Sequence, residues 1–229
     1  MPEERNHNLN RRTFLQQMGA GTAGLTLEPS APKGKPDRRP NVLFILPDEW
    51  RAQALGCMGN SDVRTPHLDK VASDGIVFRH TLANTPVCCP ARANIQTGMY
   101  TSRNGMVAND LRLRESLIGM GTLFSRAGYR TAYVGKWHLD GGPRMPGFVP
   151  PGPRRHGYQV WAANECNHNY FYNWFFRDAD APIIATRYMP DVWTDLATEF
   201  LYEAQNEQLF FLMVAPGAPH DPYIVPQKV

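Results

Sequence analysis

Short apolar runs alternate along this chain with segments of helical periodicity, and no other feature constrains its fold as strongly. Continuous apolar runs of this length are typical of buried strands. The first run, residues 42–46, is continuous, and the other predicted strands are the mainly apolar residues 76–82, 131–134 and 209–214. The predicted helices are residues 66–75, 90–98, 123–127 and 191–206. Alternating strands and helices favour an α/β fold with a mainly parallel sheet flanked by helices, in which the first run is buried on both faces.

Polar clusters follow the ends of three predicted strands. They begin at Asp48, Lys136 and His220. In open α/β sheets, ligands bind at the carboxyl ends of the parallel strands. We therefore expect the three clusters to converge on one site.

Composition limits the class of protein. The chain has 229 residues, of which 42% are hydrophobic, so one domain with a sizeable core is expected and a wholly disordered chain is excluded. Its formal net charge of +3 does not favour nucleic-acid binding. No apolar run approaches the ~20 residues of a spanning helix, which excludes an integral membrane protein. Four cysteines in a chain of this length do not form a disulfide framework.

The N-terminal segment has the layout of an export signal. Arg11 and Arg12 precede a Phe-Leu pair and a weakly hydrophobic run rich in Gly and Ala. This pattern resembles a bacterial twin-arginine signal, which predicts a signal peptide over residues 1–31, export by the twin-arginine (Tat) machinery and a periplasmic or secreted location. An alternative is a short amphipathic helix that belongs to the fold. Residues 32–40 are rich in Pro and charge, and are predicted to form a linker before a globular domain over residues 41–229.

The segment from Cys88 to Gly98 carries the residue types of a reactive site. A predicted helix begins at Pro90, so Cys88 lies at a helix N-terminus, where backbone N–H groups and the helix dipole favour an anion. Arg92 adds a fixed charge that can bind an anion or the nucleophile. The alternative is that Cys88 and Cys89 are structural cysteines buried at the start of the helix.

This segment resembles the signature of the sulfatase family, in which a cysteine, any residue, a proline, a small residue and an arginine precede a Thr-Gly pair. The matching residues are Cys88, Pro90, Ala91, Arg92, Thr97 and Gly98. In that family the cysteine is oxidised after translation to Cα-formylglycine. Because Cys89 occupies the variable position, the resemblance assigns the modification to Cys88. It also implies a formylglycine-generating enzyme as a partner.

Further segments resemble the same family and occur in family order. They are residues 41–48, 65–69, 128–138 and 219–222. The resemblance implies an alkaline-phosphatase-like α/β fold and a hydrolase of sulfate esters, with an aryl or carbohydrate sulfate as its substrate. It also implies a divalent metal ion, Ca²⁺ or Mg²⁺, with Asp48, Glu49 and Cys88 among its ligands. The family's usual Asp-Asp pair is an Asp-Glu pair here, and Glu still offers a hard oxygen ligand.

The resemblance also implies catalytic roles. Arg92 holds the formylglycine hydroxyl, and Lys136 binds a sulfate oxygen. His138 orients the formylglycine hydroxyls or acts as a base, and His220 is the general acid at the leaving oxygen. In the implied reaction, one hydroxyl of hydrated formylglycine attacks sulfur and the second then expels sulfate. Taken singly, Asp48 also fits a solvated turn and His220 the cap of a proline-rich loop, while Lys136 and His138 also fit a surface pair.

Two further functions stay open. One is a formylglycine-dependent phosphodiester or phosphonate monoester hydrolase, which shares the cysteine signature. The other is a non-catalytic fragment, because family members are usually much longer. After the histidine motif they supply a second acidic metal pair, another lysine and a smaller C-terminal domain. We therefore expect a catalytic domain that is truncated before its end.

The segment at residues 164–173 is polar and aromatic. It fits either a sugar-binding rim that stacks on substrate or a surface loop packed by its own aromatic side chains. His168 is therefore not assigned to the site. Cys57 and Cys166 have no assigned role.

Overall fold

The computed structural model describes residues 39–142, 147–205 and 209–227. Its strands are β1 (Val42–Ile45), β2 (Arg130–Lys136), β3 (Val160–Asn164), β4 (Asn173–Phe175), β5 (Ile183–Ala185) and β6 (Phe210–Ala215). The main sheet has four strands in the order β1–β6–β2–β3, and every neighbouring pair is parallel. The strands β4 and β5 form a separate antiparallel pair.

Helices connect these strands. The α-helices of the described residues are α1 (Pro66–Asp74), α2 (Cys88–Thr97), α3 (Thr101–Asn104), α4 (Met120–Arg126) and α5 (Met189–Ala204). Short 3₁₀ turns lie at Ala52–Ala54, Gly56–Met58 and Pro153–Arg155. Within the described ranges, no helix has both the length and the apolar character that crossing a membrane requires.

Apolar side chains pack against both faces of the sheet. On one face, Tyr133 and Phe211 pack in a buried cluster with Ala93 of α2. On the opposite face, Leu212 packs in a second cluster with Trp193 of α5. Phe211 and Leu212 are neighbours in β6, so their side chains point to opposite faces. Helices therefore flank the sheet on both sides, which confirms the predicted α/β fold.

Gly135 lets β2 and β6 approach each other closely beside the site. Its φ is 118°, and a Cβ at this position would lie only 2.2 Å from the backbone oxygen of Ala215. Only glycine meets both conditions. Lys136 follows directly, so this glycine sets the path of the backbone that carries Lys136.

The prediction of a strand at residues 76–82 is wrong. The segment has no regular secondary structure. Ile76, Phe78 and Leu82 are 82%, 78% and 94% exposed. An apolar run becomes a strand only where a neighbour accepts and donates its backbone hydrogen bonds, and among the described residues no strand pairs with this one.

The strand β1 is less buried than its apolar sequence predicts. Leu43 and Ile45 are 48% and 58% exposed. The strand lies at the edge of the sheet and pairs only with β6 in the described part of the chain. The expectation of burial on both faces is therefore wrong for this strand.

Several boundaries also differ from prediction. The helix α2 begins at Cys88 instead of Pro90, because Pro90 is tolerated within a first turn, where N–H groups have no intrahelical acceptor. The short strands β3, β4 and β5 are not predicted, since runs of three to five residues give little periodic signal. The predicted signal peptide and residues 32–38 of the predicted linker lie outside the described residues.

Candidate active site

The three polar clusters converge at the carboxyl end of the sheet, as predicted. A cavity of about 790 Å³ opens there between the end of β1 and the N-terminus of α2. Predicted site residues on its walls are Asp48, Glu49, Cys88, Arg92 and His220. Lys136 reaches the same place from the end of β2, where its ammonium contacts Asp48 and Cys88.

Cys88 and Cys89 have different environments. Cys89 is fully buried, its N–H donates to Asn109 Oδ1 at 2.9 Å, and burial raises the pKa of its thiol to about 11. The N–H of Asp110 donates to the Cys89 sulfur at 3.4 Å. Cys88 is half-buried, lies at the first position of α2 and lines the cavity. Cys88 is thus the accessible member of the pair.

Asp48 is a buried carboxylate between two cations. Its Oδ2 lies 2.5 Å from Lys136 Nζ, and its Oδ1 lies 3.1 Å from Arg92 Nη2. Burial acts to raise the pKa of Asp48, but the two cations outweigh burial and lower the pKa to about 2. Lys136 Nζ also lies 3.8 Å from Cys88 Sγ. An ionised carboxylate, two cations and the candidate nucleophile therefore meet at one point.

Arg92 is fixed by the end of β2. Its Nη1 donates to the backbone oxygen of Lys136 at 2.7 Å, and the Tyr133 hydroxyl donates to the same oxygen at 2.5 Å. Arg92 is 4% exposed, and among the described residues its Nε and Nη2 have no hydrogen-bond acceptor, although Nη2 forms the ion pair with Asp48. A buried guanidinium with open donors is suited to an oxygen atom on residue 88 or to an anion in the cavity.

His138 is buried, and the described residues that line the cavity do not include it. Its Nε2 lies 3.2 Å from Asp110 Oδ1, and its backbone has a φ of 55°. The turn that follows is held by Glu165, whose Oε2 accepts the Asp140 N–H at 3.0 Å. Burial raises the pKa of Glu165 to about 8, so this carboxyl is mostly protonated at neutral pH.

His220 and Glu49 form the more exposed wall of the site. His220 Nε2 lies 3.2 Å from Glu49 Oε1, with the Glu49 side chain 51% exposed. The Nδ1 of His220 donates to the backbone oxygen of Asp221 at 2.7 Å, which fixes the ring. Tyr170 holds this loop in place, because its hydroxyl donates its single proton between the backbone oxygens of Gly217 and His220, which lie 3.0 and 2.7 Å away.

Two overlapping groups of donor atoms are close enough to share a metal ion. One consists of Glu49, Cys88 and His220, and the other of Asp48, His168 and His220. Within each group the donor atoms lie within 4.8 Å of one another. The three predicted metal ligands are divided between the two groups, because Glu49 and Cys88 share one of them and Asp48 belongs to the other.

His168 belongs to the site, although sequence reasoning left it out. It lies on the loop that follows β3, and its Nε2 is 3.2 Å from Lys136 Nζ. Its ring stacks on His220 with centroids 3.8 Å apart. The sequence analysis does not predict β3, and for that reason it does not place His168. Because β3 is parallel to β2, the loop after β3 lies at the same edge of the sheet as Lys136.

The comparison with protein families decides the identity of this domain. The family model described as "Sulfatase" matches residues 40–229. The chain belongs to the sulfatase family. The match covers the whole candidate site, from Asp48 to His220. The family and the α/β fold that the sequence resemblance implied are thereby confirmed.

Two curated relatives of this sulfatase-family chain carry names of enzymes that act on carbohydrate sulfates. The chain is 39% identical over 194 residues to an ulvan-active sulfatase of Formosa agariphila, covering 83% of this chain and 37% of that protein. It is 30% identical over 201 residues to an N-acetylglucosamine-6-O-sulfatase of Bacteroides thetaiotaomicron, covering 86% of this chain and 34% of that protein. The chain thus spans little more than a third of the length of these two relatives.

Solved structures of the family have the same fold. A sulfatase of Bacteroides fragilis superposes with a TM-score of 0.76 at 28% identity, over 87% of this chain and 47% of that one. A protein solved with its substrate D-glucosamine-2-N,6-O-disulfate superposes with a TM-score of 0.71 at 30% identity, over 82% of this chain and 36% of that one.

Proposed function

We propose that this domain is the N-terminal part of a hydrolase of sulfate esters in which Cys88, converted to formylglycine, is the nucleophile. The observation that carries the proposal is the meeting of Cys88 with Lys136, Arg92 and Asp48 at the N-terminus of α2. Hydrated formylglycine at this position would supply geminal hydroxyls. One would attack sulfur as the ester oxygen leaves, and the other would later lose its proton and expel sulfate, which restores the aldehyde. Cys89 is a poor candidate, because it is fully buried and its thiol has a raised pKa.

The residues present fit a hard divalent cation. Asp48 and Glu49 offer carboxylate oxygens, Asp48 is ionised because its pKa is low, and residue 88 would add an oxygen after maturation. We propose that these three residues hold Ca²⁺ or Mg²⁺. When bound, the cation would polarise the sulfate and help to ionise a hydroxyl. Asp48 already pairs with Lys136 and Arg92, so it would be shared between the cation and these two side chains.

The chain's own residues would bind and orient the reacting groups. Lys136 would bind a sulfate oxygen, because its ammonium is buried and directed to residue 88. Arg92 would hold an oxygen of residue 88 with its open donors. His220, fixed by its Nδ1 hydrogen bond, would protonate the leaving oxygen from Nε2. His138 would orient the formylglycine hydroxyls or act as a base. It lies beside Asp110 and is not among the described residues that line the cavity.

The proposed substrate class is a carbohydrate sulfate. Its support is the named activities of the two curated relatives and the sulfated glucosamine in the solved structure. Maturation would need a formylglycine-generating enzyme. Export by the Tat machinery to the periplasm or outside the cell is proposed from Arg11 and Arg12. Replacing both arginines with lysine should leave the precursor in the cytoplasm, and undiminished export would contradict this part of the proposal.

The test of the activity compares two substrates on the product of the whole coding frame, matured with the formylglycine-generating enzyme. An aryl sulfate should turn over faster than the matching aryl phosphonate, and Cys88→Ala should abolish both activities. Faster turnover of the phosphonate would instead identify a formylglycine-dependent phosphonate monoester hydrolase, which shares the cysteine signature.

The length of the protein assayed should matter. Asp48, Glu49 and residue 88 supply only part of a Ca²⁺ shell, which usually needs roughly six or more oxygens. We therefore expect the matured 229-residue chain to show little or no turnover even in excess Ca²⁺. If the coding DNA continues past Val229, the longer product should be active. Comparable turnover by the two proteins would refute the claim that Asp48, Glu49 and residue 88 supply only part of the Ca²⁺ ligands.

A further inference from the structure

His168 is the residue of the site that the proposed roles leave unused. It is half-buried on the loop after β3, and the pairing of Lys136 with Asn164 in neighbouring strands brings that loop to the end of β2. The loop is held by Asn173, whose side-chain amide donates to the backbone oxygen of Asn169 at 2.8 Å. His168 therefore reaches Lys136 from a fixed backbone.

The contacts of Lys136 show what His168 can do. An ammonium group has three donors and no acceptor. One donor of Lys136 goes to Asp48 Oδ2 at 2.5 Å, and a second meets His168 Nε2 at 3.2 Å. The side chain is 2% exposed, so bulk water does not take their place. With two donors occupied, the third is left for Cys88, whose sulfur lies 3.8 Å away.

This arrangement defines the state of the His168 ring. Because the ammonium can only donate, Nε2 must accept, so the ring is neutral with its proton on Nδ1. Burial and, to a smaller extent, the charges of Lys136 and His220 together lower the pKa of His168 to about 4, which agrees with a neutral ring. The face of this neutral ring lies against His220, with an interplanar angle of 28°.

We propose that His168 is a positioning residue with two functions: its Nε2 directs the Lys136 ammonium at residue 88, and its ring face confines the His220 imidazole. This inference rests on the proposed function, since it assigns how two groups of that mechanism are held. It places the loop after β3 in the site.

The first test does not depend on turnover. Long-range ¹H–¹⁵N NMR correlations of the histidine rings at pH 7, on the full chain, distinguish the two neutral tautomers and the charged ring. His168 should be neutral with its proton on Nδ1, the tautomer that free histidine disfavours. In Lys136→Met this preference should be lost. A charged ring, or a proton on Nε2 in the unmodified chain, overturns the proposal.

The second test separates the two functions by kinetics on the matured product of the whole coding frame. His168→Phe keeps an aromatic face for His220 but removes the acceptor, so kcat should fall by about 10²-fold for both an aryl sulfate and a sugar sulfate, with KM little changed. His168→Gln keeps an acceptor at a similar reach but removes the ring. Its loss, up to about 10²-fold, should be confined to the sugar sulfate, whose poor leaving group needs the acid His220.

The exposed His67 of α1 provides the matched control, because His67→Gln should leave kcat unchanged. Equal losses in both His168 variants on both substrates would indicate a merely structural residue and overturn the proposal, as would wild-type kcat in His168→Phe. If the unsubstituted product of the whole coding frame hydrolyses neither sulfate, the proposed function fails. The NMR tautomer of His168 still tests the placement of Lys136 in that case.

Discussion

The two sides of the candidate site are built differently. The closed side carries Arg92, Lys136 and His138, which are 2–4% exposed and held by the end of β2 and its neighbours. The open side carries the exposed Glu49 and the exposed segment 76–82, whose Thr81 lines the same cavity. The closed side is already organised to bind an anion, whereas few contacts in the described residues cover the open side. The core thus holds the side chains of the closed side in place, whereas Glu49 on the open side remains exposed.

The largest expected effect concerns the residue on which the two sides meet. Cys88→Ala should reduce sulfate ester turnover of the matured protein to background, because no other described side chain at the cavity can take the formylglycine role. Cys89→Ala is the matched control, and should keep turnover despite some loss of stability. Residual activity in Cys88→Ala with none in Cys89→Ala would reverse the assignment.

A pair of phenylalanines compares the packing of the two sides. Phe211 is 1% exposed and stacks on Phe124 with centroids 4.0 Å apart, so Phe211→Ala should lower the free energy of unfolding by about 3–5 kcal/mol. Phe78 is 78% exposed, and Phe78→Ala should change the free energy of unfolding by no more than about 0.5 kcal/mol. Urea denaturation measures both changes. A large destabilisation by Phe78→Ala would mean that the open side is covered in solution.

A buried and an exposed ion pair can be compared in the same way. Asp48→Asn leaves Lys136 and Arg92 buried without their carboxylate, and should destabilise the domain by about 3 kcal/mol. Asp74→Asn removes the partner of Lys70 on the surface of α1, where the side chains are 60% and 71% exposed, and should have an effect below about 1 kcal/mol. Thermal unfolding at neutral pH checks this difference, and equal shifts would contradict the buried pairing.

The smallest effect is a pH dependence that originates behind the closed side. Burial raises the pKa of Glu165 from 4.5 to about 8 in the folded state. Below pH 4.5 the carboxyl is protonated whether folded or unfolded, and its contribution to stability is fully present. As the pH rises toward 8, unfolding releases a proton, so stability falls by at most about 1.4 kcal/mol per pH unit. Glu165→Gln should remove this slope, and an unchanged slope in denaturation curves at pH 6, 7 and 8 would show that Glu165 is ionised.

The sequence predicted the convergence of Asp48, Lys136 and His220 because ends of parallel strands share one edge of a sheet. It failed for residues 76–82, because an apolar run does not reveal whether a neighbouring strand exists to pair with it. It missed His168 because β3 is too short to give a periodic signal. The charge state of Asp48 was also beyond its reach, since that depends on two cations that folding brings together.

The most direct test of the central claim is the mass of one peptide. After expression with the formylglycine-generating enzyme, trypsin should release residues 80–92, which contain both Cys88 and Cys89. Fragmentation by tandem mass spectrometry should place one aldehyde at residue 88 and an unmodified thiol at residue 89. An aldehyde at residue 89 would contradict the account. So would an unmodified peptide from cells in which the formylglycine-generating enzyme does convert a known substrate.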